Sequence, residues 1–250
     1  MFFIDPRQAV IEAADVGGVA GFAIGVLCVA TPFVFVPGNI QNATTLGFPV
    51  AYECAIGVSI AELLGGDKKV ETALLSAATR LERRGVRAIV GACGSFANFQ
   101  TALNAAVSVP VFSSVLTQIP WLLRTLPHGK RLAILFADRR SFTAHVQAEC
   151  GINDLSRLVI ADCMPLAPFR ALVEQPYRIL HQELSVAVAE HAADLVRTHP
   201  DIGLLVLQCS ELSPYAHAIQ SAARRPVVDV VGLARWIYST VVRPPITGYL

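Results

Sequence analysis

The feature that most constrains this chain is an internal duplication. Val86-Arg-Ala-Ile-Val-Gly-Ala-Cys93 runs through a helical pattern to Val109-Pro110-Val111, and Ile202-Gly-Leu-Leu-Val-Leu-Gln-Cys209 runs through another to Arg225-Pro226-Val227. The same interval, 116 residues, separates the two cysteines and the two prolines. Each copy is an apolar run, a cysteine, a short polar turn, a helix, then proline and a second apolar run. Helical patterns precede the copies at Val70 to Gly85 and Glu183 to Thr198, and apolar strands lie earlier, at Phe22 to Ala30 and Leu132 to Ala137. Val115, Leu116, Ile119 and Leu122 follow one copy; Val231, Leu233, Trp236 and Ile237 follow the other, both at helical spacing. Duplicated units of this kind bury their apolar faces together. Alternating strands and helices predict an α/β fold of two similar domains, pseudo-twofold, with mainly parallel sheets. The expected bounds are 22–119 plus 226–250 for the first domain and 120–225 for the second, with 1–21 as an N-terminal extension.

At 250 residues, 54% apolar and 16% charged, the chain can bury a large core. Its net charge of +1, with no basic cluster, argues against a nucleic-acid partner. Gly17 to Gly38 carries no charge and is long enough to span a bilayer. Pro32, Pro37 and several glycines interrupt it, and no Lys or Arg lies close on either flank, so a buried first strand is expected and no membrane partner. Asp5, Glu12 and Asp15 precede this run and argue against a cleaved signal. The six cysteines form no Cys-x-x-Cys pair and no zinc spacing, and read as reduced cytoplasmic thiols. No phosphate-binding glycine loop is present, so neither a metal nor a cofactor is expected.

The polar positions concentrate where strands end. Cys93-Gly94-Ser95 and Cys209-Ser210-Glu211 each follow a buried strand and open a helix, where free N–H groups and the dipole stabilise a thiolate. Ligands of parallel α/β sheets bind at the carboxyl ends of strands, where both cysteines fall. Cys28, Cys54, Cys150 and Cys163 have no such context and read as packing. Ser113 and Ser114 end a strand and reach either a substrate carboxylate or the next helix cap. Asn39, Asn42, Thr44 and Thr45 lie in the loop after the first strand, and Asp138 to Thr143, with Ser141 and Thr143 as candidate ligands, is its counterpart in the second half. A short helix is expected from Pro6 to Ala14, and Gly65-Gly66-Asp67 as loop and cap before the helix from Lys69, with Glu71, Arg80, Glu82 and Arg83 facing water. Trp121 and Trp236, on matching helices, are expected in the core or at an interface. The histidines, among them His181, His191, His199 and His217, carry no paired metal motif.

At Ile89-Val-Gly-Ala-Cys93-Gly-Ser-Phe, Leu205-Val-Leu-Gln-Cys209-Ser-Glu-Leu-Ser-Pro-Tyr215 and Pro37-Gly-Asn-Ile-Gln-Asn, the chain resembles the aspartate/glutamate racemase superfamily, over about Phe22 to Ile237. The resemblance implies a cofactor-independent racemase or epimerase, an isomerase with its site in the cleft between the domains. It further implies that Cys93 and Cys209 are acid and base on opposite faces of one carbon. The substrate would be a small carboxylate. Asn39, Gly94, Ser95, Ser113, Ser114, Ser141, Ser210 and Glu211 are the candidate substrate contacts. Amino-acid racemases of the superfamily usually read Cys-Asn-Thr at the first cysteine; Cys93-Gly94-Ser95 lacks that asparagine, against an aspartate or glutamate substrate. Two alternatives stand beside this reading: a one-thiol decarboxylase or cis–trans isomerase, and a non-catalytic carboxylate-binding protein. A homo-oligomer, dimer or higher, is expected.

Overall fold

A computed structural model of the chain describes residues 9–10, 18–59, 62–63 and 67–248. The expected helix from Pro6 to Ala14 and the loop residues Gly65 and Gly66 lie largely outside them.

Among the described residues eight strands form two four-stranded parallel sheets of the same internal order. The first is β2-β1-β3-β4, from β1 (Ile24–Val29), β2 (Val50–Ala55), β3 (Ala88–Gly91) and β4 (Val111–Phe112). The second is β6-β5-β7-β8, from β5 (Arg131–Phe136), β6 (Leu158–Asp162), β7 (Ile202–Leu207) and β8 (Val227–Val228). The helices are α1 (Lys68–Arg83), α2 (Gln100–Ala106), α3 (Ile119–Thr125), α4 (Ala144–Glu149), α5 (Ala167–Glu174), α6 (His181–Thr198), α7 (Ala216–Ala223) and α8 (Val230–Val241). The uncharged stretch around β1 is a strand buried along its whole length, and among the described residues no helix is long and apolar enough to cross a membrane.

Strand alternation explains why two sheets make one body. Ile24, Val26 and Cys28 of β1, Leu132, Ile134 and Phe136 of β5, and Leu204 and Val206 of β7 all enter a central core shared by both sheets. The intervening residues turn outward. Leu27, Val29 and Ile89 pack under α1 and α2, while Ala133, Leu135, Leu205 and Leu207 pack under α5, α6 and α7. Both faces of each sheet are covered, as strands of continuous apolar sequence require.

Helix α1 buries Val70, Leu74, Ala77, Ala78 and Leu81, and Asp67 caps it by accepting from the Lys69 N–H. Arg80 departs from the expected water-facing row: it is half-buried and donates to Glu53 at 2.8 Å. The expected boundary at residue 226 is also displaced. Val227 and Val228 pair with β7, so this strand belongs to the second sheet. The return to the first half is made by α8, where Arg235 donates to the Thr45 carbonyl at 3.1 Å and Tyr238 stacks on Phe48 with centroids 3.8 Å apart. Trp121 and Trp236 lie outside the core: they stack at 6.5 Å and remain 59% and 50% exposed.

Gly91, the last residue of β3, has no room for a side chain: a Cβ there would stand 2.0 Å from the Ser113 carbonyl oxygen. Relief would require separating β3 from the segment after β4, whose backbone is pinned by Gln100. Gly91→Ala is therefore expected to lower unfolding free energy by about 3 kcal/mol or more, at the upper end of overpacking penalties. Denaturant unfolding of the variant with a midpoint equal to wild type would refute this packing.

Candidate active site

Cys93 and Cys209 occupy equivalent places in the two halves. Each lies two residues beyond its strand, in extended backbone (φ −130°, ψ 131° and φ −85°, ψ 127°), and precedes a six-residue 3₁₀ turn, Gly94–Phe99 or Ser210–Tyr215. The α-helices expected directly after each cysteine begin only after these turns, at Gln100 and Ala216. In the second turn Pro214 has no N–H to give a regular helix.

The halves meet at these turns. A Cβ on Gly94 would lie 2.4 Å from the Gln208 carbonyl oxygen and 2.3 Å from its Nε2. The residue after one cysteine is thus pressed against the residue before the other. Gly38, at φ +99°, makes a second close approach, where a Cβ would stand 2.7 Å from the Pro214 Cα. Between these contacts lies a cavity of about 300 Å³ at the carboxyl ends of both sheets. Cys93, Gly94, Ser95, Ser141, Cys209, Ser210 and Glu211 all border it.

The other expected contacts are placed differently. Asn39 is fully buried behind Glu211, donating from Nδ2 to Glu211 Oε1 at 3.0 Å and accepting the Gln41 N–H on Oδ1 at 2.9 Å. It positions the carboxyl group and does not border the cavity. Ser113 and Ser114 also lie away from the cavity, and their expected role as substrate contacts is corrected. Ser113 donates its hydroxyl to Gln100 Oε1 at 2.7 Å, and Ser114 accepts the Leu116 N–H at 3.2 Å as a turn cap. Ser141 donates to the Asp138 carbonyl at 2.7 Å, and Thr143 caps α4.

Several cavity residues escaped the sequence reading. Asp138 and Arg140, paired with one another, stand at its mouth. They open the same loop that carries Ser141, so the loop's charged start was a usable signal. Phe33, Met164, Phe169, Leu172 and Val173 form an apolar wall. Met164 and Phe169 follow β6, the counterpart of β2, a strand that the cysteine-centred repeat does not reach. Gln208 directly precedes Cys209 and looks in sequence like the end of an apolar strand.

Burial governs the electrostatics. It raises the Cys93 thiol, with the nearby Ser95 N–H and hydroxyl pulling the other way and the Glu211 carboxyl adding to the rise. It raises Cys209 further, with Glu211 adding repulsion and only the Glu211 N–H opposing. The helix-end stabilisation expected of both thiols is outweighed by desolvation. Burial also lifts Glu211 to about 7, against the Asn39 hydrogen bond. At neutral pH the site therefore holds two thiols and a carboxyl poised at half-ionisation. Among the described residues no group of three or more His, Cys, Asp or Glu is arranged to hold a metal ion.

No protein-family model matches the chain. Among solved structures it superposes on a glutamate racemase from Bacillus anthracis (TM-score 0.56, 18% identity, 88% of this chain and 81% of that one). It superposes likewise on allantoin racemase from Pseudomonas fluorescens (0.57, 15%, 88% and 90%) and on arylmalonate decarboxylase (0.55, 14%, 87% and 91%). The chain shares the fold of these two racemases and of the decarboxylase. A shared fold does not fix the reaction, and the curated relatives point away from an isomerase. Dimethylsulfoniopropionate lyase 3 from Emiliania huxleyi is 27% identical over 224 residues, covering 84% of this chain and 57% of its own length. The dimethylsulfoniopropionate lyase of Durusdinium sp. clade D is 26% identical over 203 residues, 78% of this chain and 67% of its own. The chain spans little more than half the length of the former. These lyases overturn the expectation of a racemase or epimerase and of isomerase chemistry.

A stability test follows from Glu211. Unfolded, it ionises near pH ~4.3; folded, it keeps its proton to about 7. Between these values the native state holds a proton the unfolded chain has lost. Native stability contributed by the neutral group is fully present below about pH 4 and lost as pH rises through 7, on the order of 3 kcal/mol in all. Glu211→Gln still accepts from Asn39 and does not ionise. Between about pH 4 and about pH 8, wild type is expected to lose roughly 3 kcal/mol more unfolding free energy than this variant. Parallel pH profiles for the two proteins would show that Glu211 is not held neutral.

Proposed function

We propose that this protein is a lyase that eliminates a β-leaving group from a small carboxylate, with dimethylsulfoniopropionate the first substrate to test. The observation that carries the reading is a thiol pair, one from each half, bordering a cavity with an apolar aromatic wall, in a chain whose curated relatives are lyases of that substrate. The reaction needs one base at the carbon beside the carboxylate. Removing that proton drives out the sulfide from the next carbon, leaving an unsaturated acid.

Cys93 is the base in this proposal. Ser95 lowers Cys93 through both its N–H and its hydroxyl, whereas Cys209 is raised further by burial and only the Glu211 N–H opposes that; the Glu211 carboxyl disfavours both thiolates. Cys209 remains protonated and donates toward the developing enediolate. The Gly94 and Ser210 N–H groups, first in their turns and so lacking partners within them, receive the substrate carboxylate. Phe33 and Phe169 face the sulfonium end, where aromatic rings attract a cation. Protonated Glu211 keeps a third negative charge out of the site until pH approaches 7.

The test is headspace chromatography of dimethyl sulfide, with acrylate followed by proton NMR. Wild type is expected to form both in equal amounts. Cys93→Ser should lower the rate by about 10²–10⁴-fold, the usual contribution of a placed base. Absence of both products would sink the substrate, and full activity in Cys93→Ser would sink the base. Because burial raises Cys93, the rate should climb with pH through neutrality and above. Ser95→Ala removes a thiolate donor and should move that rising limb to higher pH; an unmoved limb would assign the base elsewhere.

A further inference from the structure

Four thiols outside the cavity are left unused by this chemistry, and two of them are neighbours. Cys28 of β1 and Cys54 of β2 are register partners on adjacent parallel strands. Their side chains leave the same face of the sheet, and both pack on the central core. Neighbouring strands lie about 4.8 Å apart, inside the roughly 4.4–6.8 Å between Cα atoms that a disulfide spans. Cys28 is buried, while Cys54 is half-buried because β2 is an edge strand. Both are free thiols. Arg80 of α1 reaches the β2 edge from the other face of the sheet, donating to the Cys54 backbone carbonyl at 3.1 Å and to Glu53 at 2.8 Å. This is a paired, partly accessible dithiol beside a cation, and the reading of both cysteines as packing is incomplete.

We propose that Cys28 and Cys54 are a peroxide-oxidisable pair, in which Cys54 reacts first and Cys28 closes a disulfide between β1 and β2. The Cys54 thiolate attacks one oxygen of hydrogen peroxide and the O–O bond breaks. A sulfenic acid forms on Cys54, and the departing hydroxide takes a proton to become water. Cys28 then gives up its proton as its sulfur attacks the Cys54 sulfur. The S–O bond breaks and a second water leaves. Two thiols lose two electrons in all, and one peroxide gains them.

The surroundings divide the roles. Cys28 Sγ donates to the Val26 carbonyl at 3.7 Å; the Cys28 thiol beside Cys54 lowers it, Arg80 helps, burial and neighbouring Glu53 oppose, and Cys54 settles at about 6. Arg84, which donates to the Tyr52 carbonyl and lies 3.5 Å from Glu53, adds positive charge behind that pair. Cys28 is raised in return, chiefly by its Cys54 neighbour, and stays a thiol until a sulfenic acid is beside it. Burial pushes Cys150 and Cys163 to about 12. At neutral pH the thiolate fraction at Cys54 exceeds that of an ordinary cysteine by roughly thirtyfold, but lower basicity cuts nucleophilicity about tenfold. The rate gain is a few-fold, so the pH midpoint of alkylation is the sharper readout.

The test uses the full reduced chain. Iodoacetamide labelling of native protein across pH, read by peptide mass, should give Cys54 a midpoint near 6, moving well above 7 in Cys28→Ser. Hydrogen peroxide in slight excess should then yield a Cys28–Cys54 linked peptide that dithiothreitol dissolves, with Cys150 and Cys163 still free. A wild-type midpoint above about 8 would overturn the proposal. So would oxidation that stops at an unlinked Cys54, or a link that forms only after denaturation. These wild-type measurements stand even if Cys28→Ser fails to fold.

Discussion

The site depends on one steric fact: there is no space for a single carbon between Gly94 and Gln208. Each residue is the neighbour of a cysteine, so the contact that joins the halves also sets the distance across the thiol pair. Any side chain at 94 would have to displace a backbone carbonyl, which cannot yield as a flexible side chain can. Gly38 against Pro214 repeats the constraint on the other side of the second turn. A shared central core explains why these approaches persist, because moving one half would break packing among β1, β5 and β7 at once.

Within that frame, desolvation outweighs the turn N–H groups. Burial raises both cavity thiols and Glu211, while local donors only moderate the result. Apart from the Asp138–Arg140 ion pair at its mouth, the site is consequently weakly charged near neutrality, although it contains three further acids. Such a site accepts one new negative charge readily and a second poorly, since each thiolate would face the other and Glu211. Asn39 matters here through Glu211, whose Oε1 it holds at 3.0 Å. A loop residue of the first half thereby moderates the charge state beside the cysteine of the second.

The architecture was readable because strands and cysteines recur at a fixed interval, and that spacing alone places Cys93 and Cys209 at equivalent strand ends. The loops after β1 and β5 could be found from the same repeat. What could not be read was side-chain direction within those loops. Asn39 and Ser141 are both polar loop residues, yet one backs Glu211 and the other borders the cavity. Ser113 and Ser114 stand at a strand end like the cysteines, but β4 has only two residues and Gln100 claims its exit. The apolar wall was invisible for another reason: Phe169 and Met164 are indistinguishable in sequence from core. The Cys28–Cys54 pairing was hidden because parallel register between β1 and β2 is a tertiary fact. The reaction was the least readable, since a duplicated thiol suggests symmetric chemistry whatever its surroundings.

Those surroundings are not symmetric. Inversion of a carbon centre asks two thiols to exchange roles, which favours matched acidities. Glu211 repels both thiolates, but Cys93 is lowered by two groups of Ser95, while Cys209 is raised further and only the Glu211 N–H opposes it. The difference separates the pair into a thiol that ionises first and one that keeps its proton. Elimination uses that inequality directly: a single proton is abstracted, the leaving sulfide departs neutral, and nothing must be delivered to the opposite face. On this argument the duplication supplies two thiols at equivalent strand ends beside one cavity, and the unduplicated residues, serine after one cysteine and glutamate after the other, make the two unequal.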